Sequence, residues 1–388
     1  ADSLHLHIDF ESSIADTIFL TIKYTAYPNK APKGGSAAIT DDKGLYFINN
    51  RQKIKNKPVQ IWTQGETESN SHWVPTIDLP NERFTTQIAL TVPDSFQTLS
   101  NGKLLTSKAV EPFMREDVWE MNQPIQPYAM MFAIGKFAVH TTSFQQANDV
   151  RYYVEPDYAP YANMMFQNTP EMMRFFSSYT GVLYPWKTYS QVVVRDYVSG
   201  AMENTSASLF GEFMNQDSIA YADANHEDVV SHELFHQWFG DYVTAESWSH
   251  LTVNESFANY GEQLWRTYKY GKDFADKLAY EDLQNYLLYA PYVDDPLYRV
   301  YYKSREDVFD HITYKKGGAI LRHLHLLIGD SAFKQSIKKY LTSNALKPAE
   351  YHHWRLAVEE VTGRDMTWFF NQWYVKGGHP TVSFSYQY

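Results

Sequence analysis

The chain has 388 residues, which is enough for a large apolar core divided over more than one domain. It carries 34 Lys and Arg against 45 Asp and Glu, and this net charge of -11 argues against binding to nucleic acid or to an anionic membrane surface. It has no Cys and no apolar run near the roughly eighteen residues of a membrane span, so we expect a soluble protein without disulfides, cysteine nucleophiles or thiolate metal sites; the compartment, cytoplasmic or periplasmic/secreted, stays undecided.

The first third of the chain has the alternating pattern of β-strands. Apolar and polar residues alternate in segments 4–10, 18–24 and 84–92, and Asn101 and Gly102 give a turn signal. Segment 128–137 has the pattern of a last strand. We therefore predict an antiparallel β domain over residues 1–137, with a boundary near Ala138.

For residues 138–378 the sequence pattern predicts a second domain that is mostly helical. Asn225 or Asp223 is expected to cap a helix that begins near Glu227, and Gly240 is expected to end it. A β segment followed by many helices is a multidomain α+β arrangement. Apolar residues with helical spacing follow one another at 161–179, 274–289, 319–327, 331–341 and 353–361, with a strand at 191–194.

The segment 230–239 reads VSHELFHQWF and contains the pattern HExxH. On a helix, His232 and His236 project from one face and can bind one zinc ion, while Glu233 lies beside them as a potential general base. A histidine pair of this kind is also often only a polar helix face or a satisfied pair in a core. A catalytic zinc site normally has three protein ligands and an open position for water, so the zinc interpretation requires a third ligand beside His232 and His236.

Glu255 is the candidate for that third ligand. In the pattern HExxHxxGxxH a third histidine would stand at Tyr242 and a glycine at Phe239, so that class of zinc site is excluded. Eighteen residues separate His236 from Glu255, which lies near the start of a second predicted helix. Two His and one Glu are the ligand set of a hydrolytic zinc site. Thr252 and Glu255 also fit a helix capping box, which would explain Glu255 without a metal.

Glu262 lies seven residues after Glu255, on the same face of that second helix. A carboxylate there is a candidate partner for the second nitrogen of a zinc-binding histidine. A solvated surface carboxylate is the alternative.

A further motif, GAMEN at residues 200–204, begins thirty-two residues before His232. GAMEN, then HExxH, then Glu255 resembles the zinc aminopeptidases of the aminopeptidase N and leukotriene hydrolase group. The resemblance extends to segments 183–187, 236–240 and 312–317. That family usually has Asn-Glu-Gly around the third ligand, where this chain has Ser256, and we expect no loss of metal from this change.

The resemblance implies a thermolysin-like catalytic domain that follows the N-terminal β domain. On this comparison the β domain is truncated, because the usual first strands are missing before Ala1. Residues 379–388 resemble the first strand of a β module that follows the catalytic domain in the family. The large helical C-terminal domain of many relatives is then absent from this chain.

The resemblance also implies the roles of individual residues around one zinc ion per chain. His232, His236 and Glu255 are the metal ligands, Glu233 is the general base and Tyr314 donates a hydrogen bond to the oxyanion. A loop of the β domain and the GAMEN segment bind the substrate, with two carboxylates on its α-ammonium; the substrate-binding residues are Gln64, Glu66, Gly200, Ala201, Met202, Glu203 and Asn204.

We therefore expect a zinc aminopeptidase that hydrolyses N-terminal residues from peptides with a free N-terminus by attack of a metal-activated water. Three alternatives stay open at this point. A zinc endopeptidase would share HExxH and Glu255 but has no need of GAMEN. An epoxide hydrolase with residual peptidase activity would share the whole site. A non-catalytic interaction module on the same fold would need neither the ligands nor the base.

Overall fold

The structure is a computed structural model that describes residues 6–9, 17–31, 34–144, 148–383 and 385–387. Strands make up most of the regular structure before residue 155, and helices make up most of it after that point. This order confirms the predicted α+β architecture of a β-rich N-terminal part followed by a largely helical part.

Two antiparallel sheets build the N-terminal part. Its strands, in chain order, are β1 (Leu45–Ile48), β2 (Gln60–Thr63), β3 (Phe84–Pro93), β4 (Gln97–Ser100), β5 (Lys103–Glu111), β6 (Met114–Ile125) and β7 (Phe132–Gly135). Within the described residues, one sheet has the order β1-β2-β7-β4 and the other the order β3-β6-β5. Exposed and partly buried residues alternate along β3, as the period of two in segment 84–92 predicts.

The prediction of strands at 4–10 and 18–24 is wrong for those residues of the two segments that the structure describes. Leu4, His5 and Phe10 lie outside the described residues, and residues 6–9 and 18–24 have no strand structure. Residues 379–383 and 385–387, predicted as the first strand of a further module, have none either. A strand forms only where its backbone groups pair with a neighbour, and no strand of the described chain pairs with these segments.

A mixed sheet opens the second part of the chain and places the GAMEN segment. Its strands are β8 (Ala138–Phe144), β9 (Asn148–Val154), β10 (Thr188–Val193), β11 (Ala201–Met202) and β12 (Ala207–Phe210), in the order β11-β12-β10-β9-β8. Strands β9, β10 and β12 run parallel, while β8 and β11 are antiparallel edges. Ala201 and Met202 of GAMEN therefore form the β11 edge of this sheet, and the carbonyl of Glu203, the next residue, accepts from Nε2 of Gln237, which directly follows the HExxH segment.

The helices follow the predicted segments closely. They are α1 (Ala162–Met165), α2 (Thr169–Thr180), α3 (Ser218–Asp223), α4 (Glu227–Phe235), α5 (Thr252–Tyr270), α6 (Lys272–Tyr289), α7 (Gly317–Ile328), α8 (Asp330–Ser343), α9 (Tyr351–Thr362) and α10 (Thr367–Phe370). A short parallel pair, β13 (Val243–Ala245) and β14 (Lys347–Ala349), lies between them. Helix α5 is the centre of this part, because every residue from 252 to 265 is buried.

Both predicted ends of α4 need correction. Its N-cap is His226 in a left-handed conformation, whereas Asn225 contributes only a side-chain oxygen that accepts from the backbone N–H of Glu227 at 3.3 Å. The helix ends at Phe235 rather than at Gly240, because the chain turns into a tight loop there. His236 still has helical dihedral angles, and its N–H donates to the carbonyl of His232 at 3.2 Å.

Helices α4 and α5 approach each other closely. A Cβ atom at Gly261 would lie 2.7 Å from the ring of Phe235, so only glycine fits at this crossing. Next to the crossing, the rings of Phe239 and Phe257 stack with centroids 4.1 Å apart. This packing sets the polar faces of the two helices opposite each other.

Candidate active site

His232, His236 and Glu255 meet between α4 and α5. The Nε2 atoms of the two histidines lie 3.2 Å and 3.3 Å from the same oxygen, Oε2 of Glu255. The capping box that would have explained Glu255 is not formed, since Thr252 instead shares a hydrogen bond of 2.7 Å with the hydroxyl of Ser256. The carboxylate of Glu255 is directed at the histidine pair.

The other ring nitrogen of each histidine has its own partner. Nδ1 of His232 lies 2.8 Å from Oε1 of Glu262, and Nδ1 of His236 lies 2.9 Å from the carbonyl oxygen of Phe239. Both partners are acceptors, so they favour the tautomer with a proton on Nδ1 and a free lone pair on Nε2. The contact predicted for Glu262 is confirmed.

These three side chains fit a zinc ion. Two ligands at about 2.0–2.1 Å from the metal in a tetrahedron are about 3.3 Å apart, which matches the nitrogen–oxygen distances of 3.2 Å and 3.3 Å. Burial would raise the pKa of Glu255, but the charge of a protonated His236 and hydrogen bonds from protonated His232 and His236 lower it to about 2. A metal cation on the same Nε2 atoms would act in the same direction. The carboxylate is therefore ionised, as a metal ligand must be.

Glu233 is buried one residue after His232 and lines the same cavity. Burial raises the pKa of Glu233 to about 8, although His232 and His236 act in the opposite direction. A cation held by the neighbouring histidines would lower it again. A carboxyl group with a raised proton affinity is able to take up a proton and return it near neutral pH.

Two further carboxylates, Glu66 and Glu203, lie in the same space. Glu66 comes from the loop after β2 and Glu203 from the residue after β11, and their side chains are 5% and 3% exposed. Ligand atoms of Glu66, Glu203 and Glu255 lie within 4.8 Å of one another. The Oε1 atoms of Glu66 and Glu203 are buried and have no hydrogen-bond partner among the described residues. A cationic group placed between them would satisfy both.

Burial raises the pKa of both free carboxyl groups. For Glu66 the shift is large, and the charges of Glu203 and Glu255 add to it. For Glu203 the positive charge of His236 acts against it. A positive charge placed between the two groups would lower both pKa values and favour the carboxylate form.

A cavity of about 320 Å³ contains these groups, and both parts of the chain line it. Of the predicted substrate-binding residues, four line the cavity wall and three do not. Those at the wall are Glu66, Gly200, Ala201 and Glu203, and those behind it are Gln64, Met202 and Asn204. The side chain of Gln64 supports the GAMEN segment, since its Nε2 contacts the sulfur of Met202 at 3.3 Å and its Oε1 accepts from the hydroxyl of Tyr197.

Besides Val229, which lies on α4, sequence reasoning missed three apolar residues of the wall that come from other segments: Ala38, Ile39 and Phe309. Ala38 and Ile39 are held beside GAMEN because the next residue, Thr40, donates its backbone N–H to the carbonyl of Val198 at 2.9 Å. No local pattern marks these residues, since they reach the site only through long-range contacts.

Tyr314 lies in a widened helical turn, Ile312–Lys316, where the N–H of Lys316 donates to the carbonyl of His311 at 3.0 Å. Such π-helical turns are frequent at functional sites. Its ring lies parallel to that of His232, with centroids 5.8 Å apart. Burial, with the charge of Glu255, raises the pKa of Tyr314 well above its usual value, so the phenol keeps its proton and can donate it in a hydrogen bond.

A buried polar network joins the β domain to the loop that ends α4. The side-chain nitrogen of Gln126 donates to the carbonyl of Gly240 at 2.9 Å and to Oδ1 of Asp241 at 2.8 Å. The hydroxyl of Thr205, directly after GAMEN, donates to the same oxygen at 2.9 Å. The loop beside His236 is thus fixed from two sides.

An HExxH helix with a glutamate on the next helix, beneath a β-rich domain, is the arrangement of a zinc metallopeptidase fold. Residues 164–373 match the peptidase family M1 domain, and residues 2–128 match the peptidase M1 N-terminal domain. The chain belongs to peptidase family M1. The resemblance found from the motifs is confirmed.

Named relatives support the same assignment. The chain is 26% identical to aminopeptidase A of Gloydius brevicauda over 94% of its own length and 38% of that protein. It is 28% identical to a glutamyl aminopeptidase of Sus scrofa (88% and 37%) and 27% identical to aminopeptidase N of Streptomyces lividans (82% and 38%). The chain thus spans less than two fifths of the length of these curated relatives.

A solved structure shares the fold. It is a mutant of an M1 zinc metallopeptidase from Deinococcus radiodurans, with a TM-score of 0.71 and 22% identity over 83% of this chain and 71% of that one. Among the described residues, every helix is too short or too polar to cross a bilayer.

Proposed function

We propose that this chain carries a zinc-dependent aminopeptidase activity that removes the N-terminal residue of peptides. The observation that supports it most strongly is the pair Glu66 and Glu203. Both are buried, both have an oxygen without a hydrogen-bond partner in the described structure, and both lie within 4.8 Å of the Glu255 carboxylate. The α-ammonium of a peptide is a cation of the size and charge that this pair requires.

His232, His236 and Glu255 would hold one zinc ion per chain. When bound, zinc polarises the scissile carbonyl and lowers the pKa of a bound water toward about 7. Glu262 and the carbonyl of Phe239 keep both imidazoles in the tautomer that presents Nε2.

The remaining steps belong to Glu233 and Tyr314. Glu233 accepts the proton of the attacking water and passes it to the nitrogen of the leaving amine. Tyr314, which stays protonated, donates a hydrogen bond to the oxyanion that develops on the carbonyl. Both residues line the cavity that contains the carboxylate pair, so they act on the bond next to the bound amine.

The carboxylate pair would also make the site selective for the N-terminal end of a peptide. A free N-terminus brings one positive charge to Glu66 and Glu203, whereas an internal segment brings none and would leave both buried carboxylates without a partner. A buried charged group that loses its partner costs on the order of 2 to 5 kcal/mol. Because this free-energy cost applies to internal segments and not to a free N-terminus, the site would cleave as an exopeptidase.

The test compares one peptide in two forms, with a free and with an acetylated N-terminus. We expect wild-type protein to cleave only the free form, and Glu203→Ala to lose most of this activity while it retains its zinc. Glu66→Ala should lose less, because its position depends on contact between two domains. Glu281→Gln, which changes an exposed glutamate on α6, is the matched control. Equal cleavage of both peptide forms by the wild type would favour a zinc endopeptidase.

A further inference from the structure

Glu66 reaches the cavity from a loop of the β domain, and no hydrogen bond of its own holds its buried Oε1 atom. Its position is therefore set by the residues on either side of it in the loop. The residues that follow it, Thr67 and Glu68, make direct contacts with the helical part of the chain.

Thr67 makes the more buried of these contacts. Its side chain is 2% exposed, and its hydroxyl donates to Oε1 of Glu306 at 2.8 Å. Glu306, itself 8% exposed, also accepts from the hydroxyl of Ser304 and from Nε of Arg305. Burial would raise the pKa of Glu306, but the hydrogen bonds from Ser304 and Thr67 lower it overall. Thr67 therefore donates to an ionised, buried acceptor, which is the stronger kind of hydrogen bond.

Glu68 makes the second contact, on the outer side. Its Oε1 accepts from the indole nitrogen of Trp248 at 2.9 Å, and its Oε2 pairs with Arg305. The side chain of Arg305 is 40% exposed, so solvent screens that ion pair and its contribution is small. The contact between Thr67 and Glu306 is the more important of the two.

The same short helix, Arg305–Val308, leads directly to the oxyanion side of the cavity. The carbonyl of Val308 accepts from the hydroxyl of Thr313 at 2.7 Å, Phe309 lines the cavity, and Tyr314 follows. One segment thus supports Tyr314 from within the helical part and holds the Glu66 loop from across the domain boundary.

We propose that Glu306 and Thr67 form a positioning contact that sets where Glu66 stands for binding of the substrate amine. The inference rests on the proposed function, and it extends that function to residues that do not line the cavity. A buried carboxylate binds an ammonium group well only at a fixed distance, and small displacements of a binding group cost large factors in rate. Without the contact, the loop keeps its fold but Glu66 is free to shift.

Thr67→Val tests the contact, because it keeps the shape of the side chain and removes the hydroxyl. We expect kcat/KM for a free-amine dipeptide arylamide to fall about ten-fold with zinc content close to wild type. Because the lost hydrogen bond also stabilises the fold, urea unfolding should show a moderate loss of stability in a protein that stays folded under the assay conditions. Thr67→Ser keeps the hydroxyl and should restore most of the activity. Ser71→Ala removes an exposed hydrogen bond in the same loop and is the matched control. Glu306→Gln keeps an acceptor without the charge and should cost less than Thr67→Val.

The decisive comparison repeats Thr67→Val in the Glu66→Ala background. If the contact acts through Glu66, the second substitution changes kcat/KM by less than about two-fold there. The same ten-fold loss in both backgrounds would overturn the inference and leave the aminopeptidase proposal standing. Equal cleavage of free and acetylated peptides by the wild type would instead remove the proposed function, and this inference with it.

Discussion

The half of the cavity that we propose to bind zinc (the metal half) and the half that we propose to bind the substrate amine (the amine half) are built in different ways. His232, His236 and Glu255 stand on two consecutive helices that cross at Gly261, and each histidine has a partner on its second nitrogen. Glu66 and Glu203 come from two domains, and each has a buried oxygen without a partner in the described structure. The first half is fixed by local packing, and the second depends on how the β domain docks.

This difference has an energetic meaning. Every ligand in the metal half has a hydrogen-bond partner before any substrate arrives, so that half is preorganised for one cation. The amine half keeps two buried acceptors unsatisfied, and such groups cost free energy until a donor binds them. A fold that loses stability at one place in this way is consistent with the proposal that Glu66 and Glu203 bind substrate.

Replacing the proposed general base, Glu233, should abolish most turnover without affecting zinc binding. Glu233→Gln keeps the zinc ligands and removes the group that handles the proton, so we expect turnover to fall about 10²- to 10⁴-fold with the zinc content unchanged. Elemental analysis beside an arylamide assay measures both. Full activity in a zinc-replete Glu233→Gln sample would exclude this residue from the mechanism.

A smaller effect within the metal half comes from Glu262. Glu262→Gln removes the negative charge of the side chain whose Oε1 lies 2.8 Å from Nδ1 of His232 and orients that ring. The loss of such a partner of a metal-binding histidine lowers metal affinity about 10- to 100-fold. Zinc competition with a chelator gives the value. Wild-type affinity in this variant would mean that the α4–α5 packing alone orients the histidine.

The sequence predicts the residues proposed to bind the metal better than it predicts the other walls of the cavity. Helical spacing places His232, His236, Glu255 and Glu262 on facing surfaces, because four- and seven-residue intervals leave little geometric freedom. The walls formed by Ile39 and Phe309 have no such signal, since they depend on contacts between residues far apart in sequence.

The fold shows the same limit. Periodicity predicts the long helices α6 to α9 well, since their hydrogen bonds are internal. It fails for segments 4–10 and 18–24, where alternation indicates a strand but cannot supply the neighbour that a strand requires. Periodicity also does not locate helix ends: the N-cap of α4 is His226, although N-cap preferences favour Ser, Thr, Asp or Asn.

The charge of the cavity predicts which first residue is accepted. Its wall contains six carboxylates, on Glu66, Glu203, Asp228, Glu233, Glu255 and Glu262, and one lysine, Lys315. Lys315 is already paired with Asp282 at 2.8 Å. We expect a leucyl arylamide to be hydrolysed at least about ten-fold faster than a glutamyl arylamide, because an acidic side chain would meet no free cation there. Equal rates would mean that Lys315 leaves Asp282 to bind the substrate, and Asp282→Asn would then favour the glutamyl substrate.

The smallest expected effect concerns the stability of the loop that carries Glu66. Asp78 lies in the same connection between β2 and β3, where its Oδ2 accepts from the backbone N–H of Ser71 at 2.7 Å and its buried Oδ1 has no partner among the described residues. Burial raises the pKa of Asp78 to about 7, against the hydrogen bond from Ser71. The unfolded chain has the usual Asp pKa near about 3.9.

The sign of the pH effect follows from these two pKa values. Between about pH 4 and pH 7 the folded protein binds the Asp78 proton and the unfolded chain has lost it, so the free energy of unfolding falls as the pH rises. Asp78→Asn cannot titrate and keeps the acceptor for Ser71. Its stability relative to wild type should therefore increase by about 1 to 3 kcal/mol between pH 5.5 and pH 8, whatever the fixed cost of the buried amide. Urea unfolding of both proteins at the two pH values, with zinc present throughout, gives this difference directly. A difference that does not change with pH would place the ionised Asp78 carboxylate in a solvated loop, and the amine half would then be less rigidly docked than its contacts at Thr67 and Glu68 indicate.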